Sequence, residues 1–292
     1  MEYVLKNETI TLTVSEQGAE ILSLVKGGRE YIWHGDPRFW GRRTPVLFPF
    51  VGQVRGGSYR YQGVEYPMGQ HGFARDQVFA LKGQTEDSLS FVLHENENTL
   101  KVYPFCFELT ITYTLVENGV TVEWLVKNTG GEMLHFSIGG HPAFMCPIDG
   151  EGEWKDYKIL LKKGGAPLAS MTIHPITSGG NVGPDYKDIP LEDGMITPTD
   201  KLFAGDALIL EDRQADEVAL VDPKGSAYLT VCFDMPLVGI WSPVGKHAPF
   251  ICIEPWCGRT DSVDFAGSLE EREYGNALGV GEKFRKDYRI LV

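Results

Sequence analysis

Alternation with a period of two recurs along almost the whole chain, and nothing else constrains its fold as tightly. In Thr11-Leu12-Thr13-Val14 polar and apolar side chains trade places residue by residue, the pattern of a strand with one face in a core. Tyr59 and Tyr61 precede a Gln62-Gly63 turn, and Val64 and Tyr66 follow it. The clearest hairpin joins residues 110–116 to residues 120–126 through Glu117-Asn118-Gly119. Asn118-Gly119 is the expected central pair, because a type I′ turn needs positive φ at both positions. Lys26-Gly27-Gly28-Arg29 and Pro223-Lys224-Gly225-Ser226 mark further hairpin tips. One short helix is expected after Ser268, where Ser268 and Glu271 fit a capping box. A last strand follows, with Tyr288, Ile290 and Val292 on one face. With 34 glycines and 17 prolines, breaks are frequent and sustained helical periodicity is nearly absent. Short strands of this kind bury their apolar faces by packing sheet on sheet, so the expected fold is all-β, one large antiparallel β-sandwich. No repeat, low-complexity tract or charged linker divides the chain. Residues 1–292 are therefore read as one domain, with the loop-rich stretch 164–198 laid across one sheet as an insertion.

Charge narrows the partners. A formal net charge of −13 sets up a field that repels nucleic acid and anionic membrane, so neither is expected; a small phosphorylated ligand held by a few local arginines is not excluded. Uninterrupted apolar runs such as residues 248–253 are far below the ~20 residues needed to span a bilayer. The five cysteines, Cys106, Cys146, Cys232, Cys252 and Cys257, form no C-x-x-C pair and no zinc-ligand spacing; they are read as reduced thiols, and no metal constellation is expected. The opening Met1-Glu2-Tyr3 carries no basic and apolar leader pattern, and a cytoplasmic location is the expectation. The sequence sets no oligomeric state.

Two short segments carry the chemistry: Gly139-Gly140-His141-Pro142-Ala143-Phe144 and Cys252-Ile253-Glu254-Pro255-Trp256. Each holds one proton-transferring side chain between small or rigid neighbours and near an aromatic ring. An imidazole with an ordinary pKa near ~6.5 supplies or takes a proton at neutral pH, and Glu254 is its complementary base. A carboxylate in the apolar run Phe250-Ile251-Cys252-Ile253 is costly to bury unless it has a use. The glycines are read as allowing close approach of backbone or substrate. Trp256 and Phe144 are read as flat faces for the C–H side of a pyranose. An imidazolium acid and an ionised carboxylate acting together imply a bell-shaped rate between a carboxylate-like and an imidazole-like limb. The remaining histidines, His34, His94, His135, His174 and His247, are read as surface or structural groups.

Four motifs in order extend this reading: Trp40-Gly41-Arg42-Arg43-Thr44-Pro45-Val46-Leu47-Phe48-Pro49, Gln70-His71-Gly72-Phe73-Ala74-Arg75, the His141 segment, and Ile240-Trp241-Ser242-Pro243 through Glu254-Pro255-Trp256. Together they resemble the aldose 1-epimerase (galactose mutarotase-like) family, in its LacX-like branch, over about residues 9–292. The resemblance implies a β-supersandwich and interconversion of the α and β anomers of an aldose by ring opening and reclosure, without cofactor or metal. It implies His141 as the acid that protonates the ring oxygen and Glu254 as the base on the C1 hydroxyl. It implies His71 as a second histidine near the ring oxygen and Asp206 as a holder of sugar hydroxyls. One departure stands out. Many relatives have Gly-Arg where this chain has Gly52-Gln53, so an arginine contact is lost or passes to Arg42, Arg43 or Arg55. Arg42 and Arg75 are further candidates for substrate contact, Arg75 also as a simple partner of Asp76. Trp40 is read as core, Trp241 and Trp256 as pocket wall. Three functions remain in play: a free-aldose mutarotase, a hexose-6-phosphate 1-epimerase resembling the relatives with a similar His71 stretch, and a non-catalytic sugar-binding or sensing protein. A glycosidase is disfavoured because it usually needs two facing carboxylates.

Overall fold

The alternation resolves into two large antiparallel sheets in a computed structural model that describes residues Met1–Val292. The ten-stranded sheet runs Ala166–Pro167, Lys158–Lys163, Glu217–Val221, Ala227–Phe233, Lys283–Leu291, Gly119–Asn128, Phe107–Val116, Ser88–His94 and Ala80–Gln84, with Met195–Ile196 beside Lys158–Lys163. The eight-stranded sheet runs Lys187–Pro190, Ser170–Ile173, Leu208–Leu210, Leu237–Trp241, Phe250–Cys257, Ile138–Gly140 and Val46–Leu47, with Ala143–Met145 also on Phe250–Cys257. A core of 63 buried residues takes Ile111, Trp124 and Ile290 from the first sheet and Val238, Ile240, Ile251 and Ile253 from the second. Burial on facing sheets is the main stabilising term in such a sandwich. Aromatic rings fill its centre: Phe48 packs on Phe107 at 5.0 Å and on Phe136 at 5.8 Å between ring centroids.

Local chemistry departs from the sequence reading at three places. The long hairpin turns at Glu117-Asn118, both at negative φ, and Gly119 already faces Val116 in the ladder. Gly119 is needed for a different reason: a Cβ there would stand 1.9 Å from the Ile290 carbonyl oxygen of the next strand. Positive-φ pairs sit instead at other tips, among them Gln62-Gly63 with φ of 49° and 77° and Gly27-Gly28 with φ of 59° and 81°. The capping box at Ser268 forms, with the Ser268 N–H donating to the Glu271 carboxylate at 2.7 Å, but it caps a single 3₁₀ turn, Leu269–Glu271. The chain leaves that turn at Arg272, whose guanidinium is buried against Asp261 at 2.7 Å. The 164–198 stretch is more than an insertion across one sheet, because its short strands Ser170–Ile173, Lys187–Pro190, Ala166–Pro167 and Met195–Ile196 join both sheets.

The functional face follows from the same alternation. In Phe250–Cys257, Ile251, Ile253 and Cys257 enter the shared core. Phe250, Cys252 and Trp256 lie in separate small clusters on the opposite side, with Glu254 between them in phase. Leu237–Trp241 repeats the pattern, Val238 and Ile240 inward and Leu237 and Trp241 outward. All eight residues of Phe250–Cys257 are buried, so loops must roof the outer face. A pocket lies beneath them.

Candidate active site

Trp256 forms the floor, and glycines make room for it. A Cβ at Gly139 would stand 2.5 Å from the indole Cδ1, and one at Gly239 would stand 2.5 Å from Cη2 and Cζ2. Gly140 serves the core side: its Cβ would meet the Tyr288 hydroxyl at 2.8 Å. The glycines before His141 therefore accommodate aromatic rings of the protein. Phe144, read as a face for the sugar, is fully enclosed in the main core and does not reach the pocket.

Sheet register sets the distance between His141 and Glu254, the two candidates for proton transfer. Gly139 pairs with Trp256, and Ala143 pairs with Cys252. Carrying that register across the gap puts His141 directly opposite Glu254. The ladder is interrupted there because Pro142 and Pro255 have no N–H to give. Directly opposed residues of an antiparallel pair have Cβ atoms ~4.5–5.5 Å apart, within reach of each other's side chains. His141 Nε2 lies 3.3 Å from Glu254 Oε2.

Aromatic rings hold the imidazole of His141 on several sides. Trp40 stacks on it at 4.8 Å and 26°, Trp241 meets it edge-on at 5.6 Å, and His71 meets it edge-on at 5.5 Å. Trp40, read as core, is thus a wall of the pocket. His71 sits in a tight loop with φ of 67°, followed by Gly72 at 68°. Only glycine fits at 72, since a Cβ would come 2.4 Å from the Phe48 carbonyl oxygen. The loop is locked reciprocally: the His71 amide donates to Gly52 O at 2.8 Å, and the Gly52 amide donates to His71 Nδ1 at 3.1 Å. An accepting Nδ1 carries no proton, so His71 is neutral with its hydrogen on Nε2.

Burial dominates the electrostatics. It lowers the His141 imidazole to about 3, with help from the Arg75 charge, and holds His71 well below its ordinary value, with His141 and Arg75 adding to the effect. It raises the Glu254 carboxyl well above the carboxylate range, and the Asp206 charge pushes the same way. The pair therefore favours a neutral imidazole beside a protonated carboxyl, the reverse of the assignment expected from unperturbed values. Buried polar atoms that make no hydrogen bond cluster here: His141 Nδ1, Glu254 Oε2, Trp256 Nε1 and Arg75 Nε.

The pocket has a volume of about 280 Å³, at the small end of the ~300–1,000 Å³ usual for small-ligand clefts. His141, Glu254, His71, Asp206, Arg75 and Trp241 all line it. Asp206 stands exposed on the turn before Leu208–Leu210, at φ of 73°. Arg75 is held by its Nη2 on the Gln70 carbonyl at 2.7 Å, and its contact with Asp76 is loose at 3.9 Å. Arg42 is not among the lining residues, because it donates to Asp76 at 2.8 Å. Arg43 donates to Leu22 O and Arg55 to Phe265 O, both away from the pocket. Arg75 is thus the arginine of this pocket. Gln53 packs behind Gly180, where a Cβ would stand 2.6 Å from its Oε1. The wall residues Gln70, Ile176, Gly180, Ala207, Ile209 and Thr260 were not singled out from sequence as lining the pocket; Ile176 and Gly180 come from the 164–198 stretch, whose irregular composition carried no signal. Cys252 also lies near the pair: donor atoms of His141, Cys252 and Glu254 are all within 4.8 Å of one another.

Comparison with known proteins gives the class to which this β-supersandwich belongs, a family of carbohydrate-converting enzymes. A family model described as aldose 1-epimerase matches residues 1–290, and the chain belongs to that family of sugar isomerases. It is 30% identical to the plasmid-encoded protein LacX of Lactococcus lactis over 100% of this chain and 99% of that one. Among solved structures, a galactose mutarotase related enzyme from Lactobacillus acidophilus is 36% identical with a TM-score of 0.94, covering 100% of this chain and 97% of its own. A galactose mutarotase-like protein from Lactobacillus casei is 31% identical with a TM-score of 0.92, covering 100% and 99%. No helix of the chain is long and apolar enough to cross a membrane.

Proposed function

We propose that this carbohydrate epimerase interconverts the anomers of a free aldose, with His141 acting on the ring oxygen and Glu254 on the C1 hydroxyl. The observation that carries the reading is the 3.3 Å separation of His141 Nε2 and Glu254 Oε2 as a cross-strand pair at a pocket wall. The two oxygens of a hemiacetal share one carbon, so an acid and a base serving them must stand side by side. To open the ring, Nε2–H of His141 gives its proton to the ring oxygen while the Glu254 carboxylate takes the proton from the C1 hydroxyl. The C1–O bond to the ring oxygen breaks and an aldehyde forms. After rotation about C1–C2, Glu254 returns its proton to the aldehyde oxygen, His141 recovers the other, and the ring closes on the opposite face. The pair then holds one proton throughout and ends as it began.

The neutral arrangement favoured by burial corresponds to the open-chain stage: imidazole free, carboxyl protonated. Opening a ring therefore begins by moving one proton from Glu254 to His141. His71, neutral with Nε2–H free to donate, holds an oxygen near His141 without competing for that proton. Asp206, Gln70 and Arg75 hold hydroxyls at the rim, and Trp256 and Trp241 face the C–H side of the ring. Anomer exchange followed by NMR across a panel of aldoses tests the reading. General acid–base groups contribute ~10²–10⁴-fold each, so His141→Asn and Glu254→Gln should each lose most turnover while sugar binding survives. A variant that keeps near-normal turnover on the best sugar removes that residue from the scheme.

A phosphorylated aldose is the second reading, favoured by one observation. The Arg75 guanidinium lines the pocket with its Nε unpartnered and only a 3.9 Å contact to a carboxylate. Guanidinium is the preferred fork for a phosphomonoester. Affinity for a sugar against its 6-phosphate, in wild type and in Arg75→Ala, decides: a phosphate preference abolished by the substitution supports this reading, and equal affinities in both proteins retire it.

A further inference from the structure

Cys252 has no part in the proton scheme, yet it stands beside the pair on the same face of the strand as Glu254. Its thiol is fully enclosed. The sulfur, His141 nitrogen and Glu254 oxygen lie within 4.8 Å of one another, and the buried Glu254 Oε2 accepts no hydrogen bond. Zinc bonds nitrogen and oxygen at about 2.0–2.1 Å and sulfur at about 2.3 Å, which at tetrahedral angles separates N from O by about 3.3 Å and N from S by about 3.6 Å. The observed His141–Glu254 separation is 3.3 Å. We propose that His141, Cys252 and Glu254 form a binding site for one soft divalent cation of the zinc and cadmium class, and that its occupancy blocks the pocket's proton chemistry.

The ligand set selects the class. A sulfur, an imidazole nitrogen and one carboxylate suit zinc or cadmium, whereas magnesium and calcium ask for six or more oxygens. Three protein donors leave the fourth position to a water or a sugar hydroxyl from the pocket. On binding, the Cys252 S–H bond breaks as the sulfur–metal bond forms; the thiol proton and the proton shared by His141 and Glu254 pass to solvent, and no electrons are exchanged. The metal would occupy the positions from which protons must move, so it acts as an inhibitor. Binding stands independently of the function proposed above; inhibition rests on it.

Cadmium chloride titrated into the full chain is the probe, followed by the ultraviolet charge-transfer absorption of cadmium thiolate and by anomer exchange. The expected result is one cadmium per chain with a thiolate band, exchange inhibited in parallel and restored by a chelator. In Cys252→Ser the tight band should vanish and the inhibiting concentration should rise at least tenfold relative to that variant's own uninhibited rate. Glu254→Gln, which leaves all cysteines in place, should weaken the band at least tenfold and serves if Cys252→Ser fails to fold. Absence of a stoichiometric band in wild type overturns the proposal. So does an unchanged band in either variant, which would place the metal on other cysteines, and so does a full band without inhibition of an active enzyme. If no sugar is turned over at all, the acid–base reading fails while the band still decides the metal site.

Discussion

The glycine platform under Trp256 gives the sharpest structural prediction. Gly139 lies under the Cδ1 edge of the indole and Gly239 under its benzo edge, each with room for a Cβ only at 2.5 Å, where ordinary contact begins at 3.4 Å. Alanine at either position must therefore lift one end of the ring by about 0.9 Å. The ring cannot simply tilt, because raising one edge presses the other onto the second glycine. Overpacking of this kind costs ~1–3 kcal/mol, so each single substitution should cost about 2 kcal/mol. At ~2–4 °C per kcal/mol for chains of this order of size, the melting temperature should fall by about 4–8 °C. In the double variant the ring is lifted once for both, so the total should be clearly less than the sum of the singles, a coupling of about 1 kcal/mol or more. The displaced indole also enters the space assigned to the sugar ring, so KM should rise more than kcat falls. Chemical denaturation and anomer-exchange kinetics on the four proteins measure this, with Gly131→Ala, where a Cβ would meet nothing within 4 Å, as the control. Gly239→Ala with native stability and native KM would show that Trp256 does not rest on this platform.

Burial should make stability rise with pH up to about 6.5. His71, His141 and His135 are depressed in the folded state, so below ~6.5 the unfolded chain binds imidazole protons that the folded chain does not. Glu254 is raised when folded and works the other way, its contribution being lost as pH rises from ~4.5 through its folded value. Glu254→Gln should therefore steepen the rise in denaturation at a series of pH values; an unchanged profile assigns the opposing proton elsewhere. Anomer exchange should show no acid limb in the ordinary imidazole range, because burial moves that limb down toward His141's value of about 3; a rate that falls away as pH drops through ~6.5 would contradict the neutral imidazole. Glu211 accepts from His174 at 2.8 Å and from Tyr186 at 3.0 Å and faces Arg259 Nε at 2.7 Å, all beside the Ile176–Gly180 wall. Glu211→Ala removes the carboxylate from the Nε side of the buried Arg259 guanidinium, whose Nη2 keeps Glu273, and should cost about 1–3 kcal/mol by denaturation; no measurable loss would mean water replaces the carboxylate.

Period-two patterning carried most of the architecture, since Leu12 and Val14 or Ile251 and Ile253 announce their buried face directly. The His141 and Glu254 segments were legible because a carboxylate in an apolar run has few structural uses. What remained hidden depends on contacts distant in sequence. Gly139 looked like room for substrate, yet its neighbour is the indole of Trp256. Trp40 looked like core because nothing in its own segment reveals that His141 stacks on it. The direction in which burial moves the two protonation equilibria was hidden, because sequence does not display burial. No spacing rule finds His141 beside Cys252 and Glu254, since the sheet and not the chain makes them neighbours.

The opposed placement of His141 and Glu254 behaves like a reading frame. Adding or removing one residue between Gly139 and Ala143, or between Cys252 and Trp256, would turn one of the two side chains to the other face of the sheet and abolish their encounter outright. The loops that bring Ile176, Asp206 and Arg75 to the rim carry no such phase. They can lengthen, shorten or exchange residues while acid and base keep their separation. Length variation should therefore be tolerated in the parts that choose the sugar and forbidden in the parts that move its protons. New specificities in a scaffold of this kind are accessible through insertion and deletion as well as through substitution.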